Sequence, residues 1–102
     1  MARDVGMVLA RGLRGAAQIA GCPVDVVASD WRSWASVTFA GARHRLSLAA
    51  PASAALDHWL GTLAEQDFNL PGHLVADLNL VAVRRGGALV EADLEILTVE
   101  AD

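Results

Sequence analysis

The sequence predicts an α+β domain of order α-β-β-β-α-β-β, two helices packed on one face of an antiparallel sheet. Three observations predict it. Apolar residues recur at spacings of three and four over residues 3–20 and again over 51–66, as in amphipathic helices. Between and after these stretches the apolar residues fall on every second position, the period of half-buried strands. Gly41-Ala42 and Arg84-Arg85-Gly86-Gly87 punctuate the alternating runs as hairpin turns.

Residues 3–20 form the first helix. Val5, Val8, Leu9, Leu13, Ala16, Ala17 and Ala20 make its apolar stripe, with Arg3, Arg11, Arg14 and Gln18 on the far side. Three glycines weaken it, by about 1 kcal/mol each relative to alanine, but their small size suits close packing on a sheet. Gly21 and Pro23 end it. A short strand, Val24 to Ser29, and a turn, Asp30 to Ser33, follow. Trp34–Ala40 and Arg43–Ala49 then form a hairpin about Gly41-Ala42, a pair suited to a type II′ turn with glycine first. That turn pairs Phe39 with His44, Val37 with Leu46 and Ala35 with Leu48 on one apolar face. Trp34, Ser36 and Thr38 lie beside Arg43, Arg45 and Ser47 on the other. Pro51 and Ser53 open the second helix, as a first-turn proline and a cap should. It carries Leu56, Trp59, Leu60 and Leu63 inward. Pro71-Gly72 is a turn.

The last third, His73 to Glu100, reads as one long hairpin with an acidic outer face. Leu74, Ala76, Leu78, Leu80 and Ala82 alternate on one strand, and Val90, Ala92, Leu94 and Ile96 on the other. A three-residue loop, Arg85 to Gly87 with Gly87 in the left-handed region, pairs Ala82 with Val90 and Leu78 with Leu94. The same register sets Asp77 opposite Glu95 and Asn79 opposite Asp93, with Glu91 one step along. Facing like charges cost a few tenths of a kcal/mol up to about 1 per pair. Arginines of the same sheet, a partner chain, or water and salt can answer such a stripe. Arg43 and Arg45 are the best internal candidates.

The 102 residues make a single domain, 1–102. A compact globule of 10.7 kDa leaves roughly 5,500 Å² exposed, enough burial for one core without metal or disulfide. Hydrophobic residues are 54% of the chain, more than an average soluble domain carries. That excess favours a homodimer, unless alanine merely inflates the count. All eight basic residues are arginine, and the net charge is −4. Six arginines oppose three acids in residues 1–50, while residues 73–102 hold six acids against two arginines. Phosphate binding needs clustered cations, so no nucleic-acid partner is expected. No run approaches the roughly 20 apolar residues of a membrane span. Arg11 and Arg14 interrupt the first apolar run too early for a signal peptide. The expectation is a soluble cytoplasmic protein.

Little of the chain carries recognisable chemistry. Cys22 is alone, so no internal disulfide forms, and before Pro23 it reads as an inert apolar residue. His44 sits on an apolar strand face as a core residue; His58 has Thr62, not a ligand, one helical turn on. His73 and Asp77 share a strand face but lie about 13 Å apart at strand rise. No metal site and no cofactor are expected. Nucleophile elbow, phosphate-binding loop, dinucleotide fingerprint and paired CxxC are absent. Carboxylates on a flat solvated face lack the dry cleft that separates acid from base. Trp31 and Trp34 flank the turn containing Arg32, and tryptophan beside arginine is the composition of an interface hot spot. The candidate protein-binding residues are therefore Trp31, Trp34, Arg43, Arg45, Asp77, Glu91, Asp93 and Glu95. For Trp34 the competing reading is cover for a sheet edge; for the acids, a solvated face.

The element order, small size and acidic balance resemble the type III secretion chaperones, dimeric α/β proteins that hold an unfolded stretch of a client. The resemblance spans nearly the whole chain as architecture, without a shared motif, so it implies no functional residue. This stretch ends at Asp102 before the final helix of that architecture. Residues Ala35 to Gly61 are also similar to the small effector proteins of bacterial multicomponent monooxygenases, which carry no cofactor. The expectation is a non-enzymatic protein-binding domain of chaperone or adaptor type, acting as a homodimer on a protein partner or client. The alternatives are a regulatory subunit of an enzyme complex and a small enzyme with an unrecognised site.

Overall fold

Asp4 starts the first helix: its carboxylate accepts hydrogen bonds from the Gly6 and Met7 amides at 2.9 and 3.3 Å, two of the donors a helix start leaves unpaired. In the computed structural model, which describes residues 4–68 and 70–101, this helix is α1 (Val5–Ile19). After it come β1 (Asp25–Ala35), β2 (Ala40–Pro51), α2 (Ala54–Thr62), β3 (His73–Arg85) and β4 (Leu89–Glu100). Arg3, expected on the polar side of α1, lies outside the described residues. The α+β class stands, with one difference in strand count. The strand and turn expected over residues 24–33 are part of β1, so two strands precede α2 rather than three.

The four strands form one antiparallel sheet in the order β1-β2-β4-β3. Leu46, Leu48 and Ala50 of β2 and Val90, Ala92, Leu94 and Ile96 of β4 are buried on one face, where they join Leu9, Leu13 and Ala17 of α1 and Leu56, Trp59 and Leu60 of α2 in a single core. Both helices therefore cover the same side of the sheet. Ser53 caps α2, its hydroxyl accepting from the Leu56 amide at 3.0 Å. The helix begins three residues later than expected because Pro51 still pairs with Leu89 in the sheet. A 3-10 turn, Leu63–Glu65, closes it.

Both hairpins turn elsewhere than the local signals suggest. The first turns at Ser36–Phe39, with Ala35 opposite Ala40 and Trp34 opposite Gly41. The expected pairs Phe39–His44, Val37–Leu46 and Ala35–Leu48 do not form; Val37 and Phe39 are exposed at the tip. The Ser36 hydroxyl organises this tip by accepting from the Phe39 amide at 3.0 Å, while the Ser36 amide donates to the Phe39 carbonyl at 2.7 Å. Gly41 is needed inside the sheet instead. A Cβ there would meet the Thr98 carbonyl, lying 2.9 Å from its carbon and 3.0 Å from the Val99 Cα.

In the second hairpin Gly87 does take a positive φ, 96°, but Arg85 pairs with Val90 and Arg84 with Glu91. Two irregularities in β3, at Val75/Asp77 and Leu80/Ala82, then shift the ladder. Each inserts a residue and reverses which side faces the core. Val75, Leu78 and Val83 accordingly pack on the core, while Leu74 and Leu80 of the expected stripe are exposed. Leu78 pairs with Ile96 rather than Leu94. The expected repulsive pairs are absent: Asp77 lies opposite Leu97 and Asn79 opposite Glu95.

Candidate functional site

With α1 and α2 on one side of the sheet, the side chains alternating away from the core line the other. The pairing arranges them in rows running from β1 through β2 and β4 to β3. The rows are Asp25, Ala49, Glu91, Arg84; then Ala28, Ser47, Asp93, Ala82; then Asp30, Arg45, Glu95, Asn79; then Arg32, Arg43, Leu97, Asp77; then Trp34, Gly41, Val99, Leu74. The face thus carries six carboxylates and four arginines, with an apolar end at Trp34, Val99 and Leu74. A groove of about 360 Å³ crosses it, lined by Asp30, Arg32, Arg43, Arg45, Asp77 and Glu95.

Part of the acidic stripe is answered within the sheet. Arg84 donates to both Asp93 oxygens, at 2.6 and 3.0 Å, and to Glu91 at 3.0 Å. The Ser47 hydroxyl adds a third bond to Asp93 at 2.7 Å. These hydrogen bonds, Arg84's first and Ser47's next, hold the Asp93 carboxyl down at about 2, and the bonds to Asp93 and Glu91 raise the Arg84 guanidinium. Arg45 reaches Glu95 at 3.1 Å, an ion pair that stays largely in water. Asp77 accepts from the Asn79 side-chain Nδ2 at 2.9 Å. Among the described residues Arg32 and Arg43 make no ion pair.

Of the residues singled out by sequence, Trp34, Arg43, Arg45, Asp77, Glu91, Asp93 and Glu95 share this face. Trp31 does not. The sequence sets Trp31 and Trp34 on either side of a turn containing Arg32, but a continuous β1 sends positions 31 and 34 to opposite sides. Trp31 lies on the helix side over Gly6 of α1, its ring centroid 6.3 Å from that of His44. Arg84 was missed. Its signal was present: a four-residue loop places it opposite Glu91 and turns a repulsive stripe into an attractive one.

His44 is buried, as its apolar neighbours implied, and its Nε2 is 2.9 Å from Thr98 Oγ1. The Thr98 hydroxyl donates to the Ala42 carbonyl at 3.4 Å, so Nε2 is the imidazole donor and Nδ1 keeps an unpartnered lone pair. Burial pushes the imidazole below its usual value, His73 adds to this, and Asp4 opposes it. Cys22 is buried and its thiol is raised by burial. Among the described residues no three His, Cys, Asp or Glu cluster as metal ligands, and no helix is long and apolar enough to cross a membrane. No family model and no curated protein matches this chain, and the geometry carries the functional reading by itself.

Proposed function

We propose that this chain is a protein-binding domain, working through the helix-free face of its sheet. The observation that carries this reading is the asymmetry of the sheet. Two helices seal one face, while the other presents four strands of 11 to 13 residues with an ordered charge pattern and a tryptophan at one end. Tryptophan and arginine are the residues that most often dominate binding energy at protein interfaces, and Trp34, Arg32 and Arg43 lie in adjacent rows.

The chemistry of the face favours binding over catalysis. A carboxyl held at about 2, as Asp93 is, stays ionised at neutral pH and cannot donate a proton. His44 is buried, and its imidazole is engaged with Thr98. Exposed ion pairs contribute about 0–1 kcal/mol each to stability, so the ordered charges serve recognition better than folding. The test is a photoreactive amino acid at position 97, in the groove, compared with one at position 19 on the exposed end of α1, in cells producing the chain. Polypeptide adducts from position 97 and not from position 19 support the reading. No polypeptide adduct from position 97 overturns it.

A further inference from the structure

We infer that the occupant of the open face is a second copy of this chain, packed face to face about a two-fold axis that runs along the strands between β2 and β4. This rests on the binding-face reading above and names its partner. Rotation about that axis lays β1 over the partner's β3 and β2 over its β4 while keeping every row in line. In the fourth row, Arg32 then faces Asp77 of the second copy and Arg43 faces Leu97. In the third, Arg45 faces Glu95 and Asp30 faces Asn79. In the first, Asp25 faces Arg84. In the fifth, Trp34 faces Leu74 and Gly41 faces Val99. Every row opposes unlike charges, a charge and a neutral group, or two uncharged groups, and each contact occurs twice.

The other symmetric arrangement fails on the same register. An axis across the strands through the third row lays each strand on its own copy, placing Asp30 on Asp30, Arg45 on Arg45 and Glu95 on Glu95. Like charges brought together across an interface are strongly unfavourable. Sheets stack with strands within about 30° of each other. At that angle the edge strands, about 7 Å from the axis at normal strand spacing, slip by ~4 Å. An arginine side chain spans that distance, so the Arg32–Asp77 contact survives the twist.

The dimensions agree. Strands of 11 to 13 residues at 3.3 Å per residue, four abreast at 4.8 Å, give a face of about 760 Å². A standard interface buries about 800 Å² per partner. The chain exposes 6455 Å², against roughly 5,500 Å² for a compact monomer of its mass. The excess is of the order of one such face.

Within one protomer Arg32 and Asp77 sit on the two edge strands and form no ion pair, whereas the two-fold arrangement sets each against the other's counterpart in the second copy. Complementation therefore tests the arrangement. By sedimentation and light scattering from low micromolar concentration upward, the wild type should approach twice 10.7 kDa. R32E alone and D77R alone should each weaken association by about tenfold or more. An equimolar mixture of the two should regain it, because both contacts of the mixed dimer again join unlike charges. Circular dichroism on each variant establishes that the fold is kept. A photoreactive residue at position 97 in the otherwise wild-type chain gives a second measurement, and should attach to another copy around Arg43. A wild type that stays at 10.7 kDa, or a mixture no heavier than its components, overturns the inference. If position 97 then attaches to a different polypeptide, the second copy is excluded and the binding-face reading stands. If it attaches to no polypeptide, both fall.

Discussion

Replacing Gly41 by alanine puts a methyl group where β4 already is. The added carbon lies against the Thr98 carbonyl, 2.9 Å from its carbon and 3.0 Å from the Val99 Cα. Carbon atoms prefer separations of about 3.5–4.0 Å, so the two strands must part by half an ångström or more. If they part while paired, the strain resembles core overpacking, about 1–3 kcal/mol. If instead the ladder opens at its last pair, Gly41 opposite Val99, one or two hydrogen bonds are lost at about 0.5–1.5 kcal/mol each. Both routes lead to a loss of about 1–3 kcal/mol. For a domain of this size that lowers the melting temperature by about 5 to 20 °C. Thermal denaturation followed by circular dichroism measures it, and hydrogen exchange at the Thr98 and Val99 amides locates it. A G41A protein melting within about 2 °C of wild type would show that β2 does not approach β4 closely at this point, and the register argument would lose its anchor.

Gly15→Ala should act in the opposite sense. Beyond its own helix backbone, no atom of the described residues lies within 4 Å of the added methyl, so the helix preference of alanine raises stability by about 0.5–1 kcal/mol; an unchanged or lower denaturation midpoint contradicts this. Ser53→Ala removes the hydroxyl that accepts from Leu56 and should cost about 1 kcal/mol in urea unfolding, whereas a midpoint equal to wild type would mean that the cap is dispensable. His44 should make stability depend on pH. Its folded value lies below the usual 6.5, so the unfolded chain takes up the proton first. This contribution is complete above about pH 6.5 and is lost as pH falls from there toward the folded value, with a slope of at most about 1.4 kcal/mol per pH unit. His44→Gln should flatten that slope in chemical denaturation between about pH 7 and 5; an identical slope in both proteins would remove His44 as its source.

Seven of the eight candidate residues chosen from sequence share the open face, and for five of them, Arg43 and Arg45 of β2 and Glu91, Asp93 and Glu95 of β4, the reason is that alternation is a local property. The pairings among them were another matter. Arg45 meets Glu95 as an arginine of the same sheet, but the principal cation of the stripe is Arg84, which the sequence signals placed in a turn. A loop one residue longer than expected, together with irregularities at Val75/Asp77 and Leu80/Ala82, moved every partner along β3. Nothing in Leu74 to Ala82 marks where an extra residue will be inserted. Trp31 went to the helix side for a similar reason. The Asp30–Ser33 stretch holds polar residues that suit a turn, yet pairing with β2 keeps it extended.

The sequence by itself determined the elements whose causes are local. The helix stripes, the cap at Ser53, and the apolar faces of β2 and β4 all follow from residues within a few positions of one another. The α+β class follows from those elements. What only the tertiary structure decided is register. Side chains alternate with a period of two, so one inserted residue exchanges the two faces of a strand. The free energy that selects an insertion comes from partners far along the chain. Gly41 is a sheet residue because Thr98 lies against it, and a serine with no neighbouring glycine makes the turn in its place. The row pattern of the open face is the sum of such choices, and it exists only once all four strands are paired.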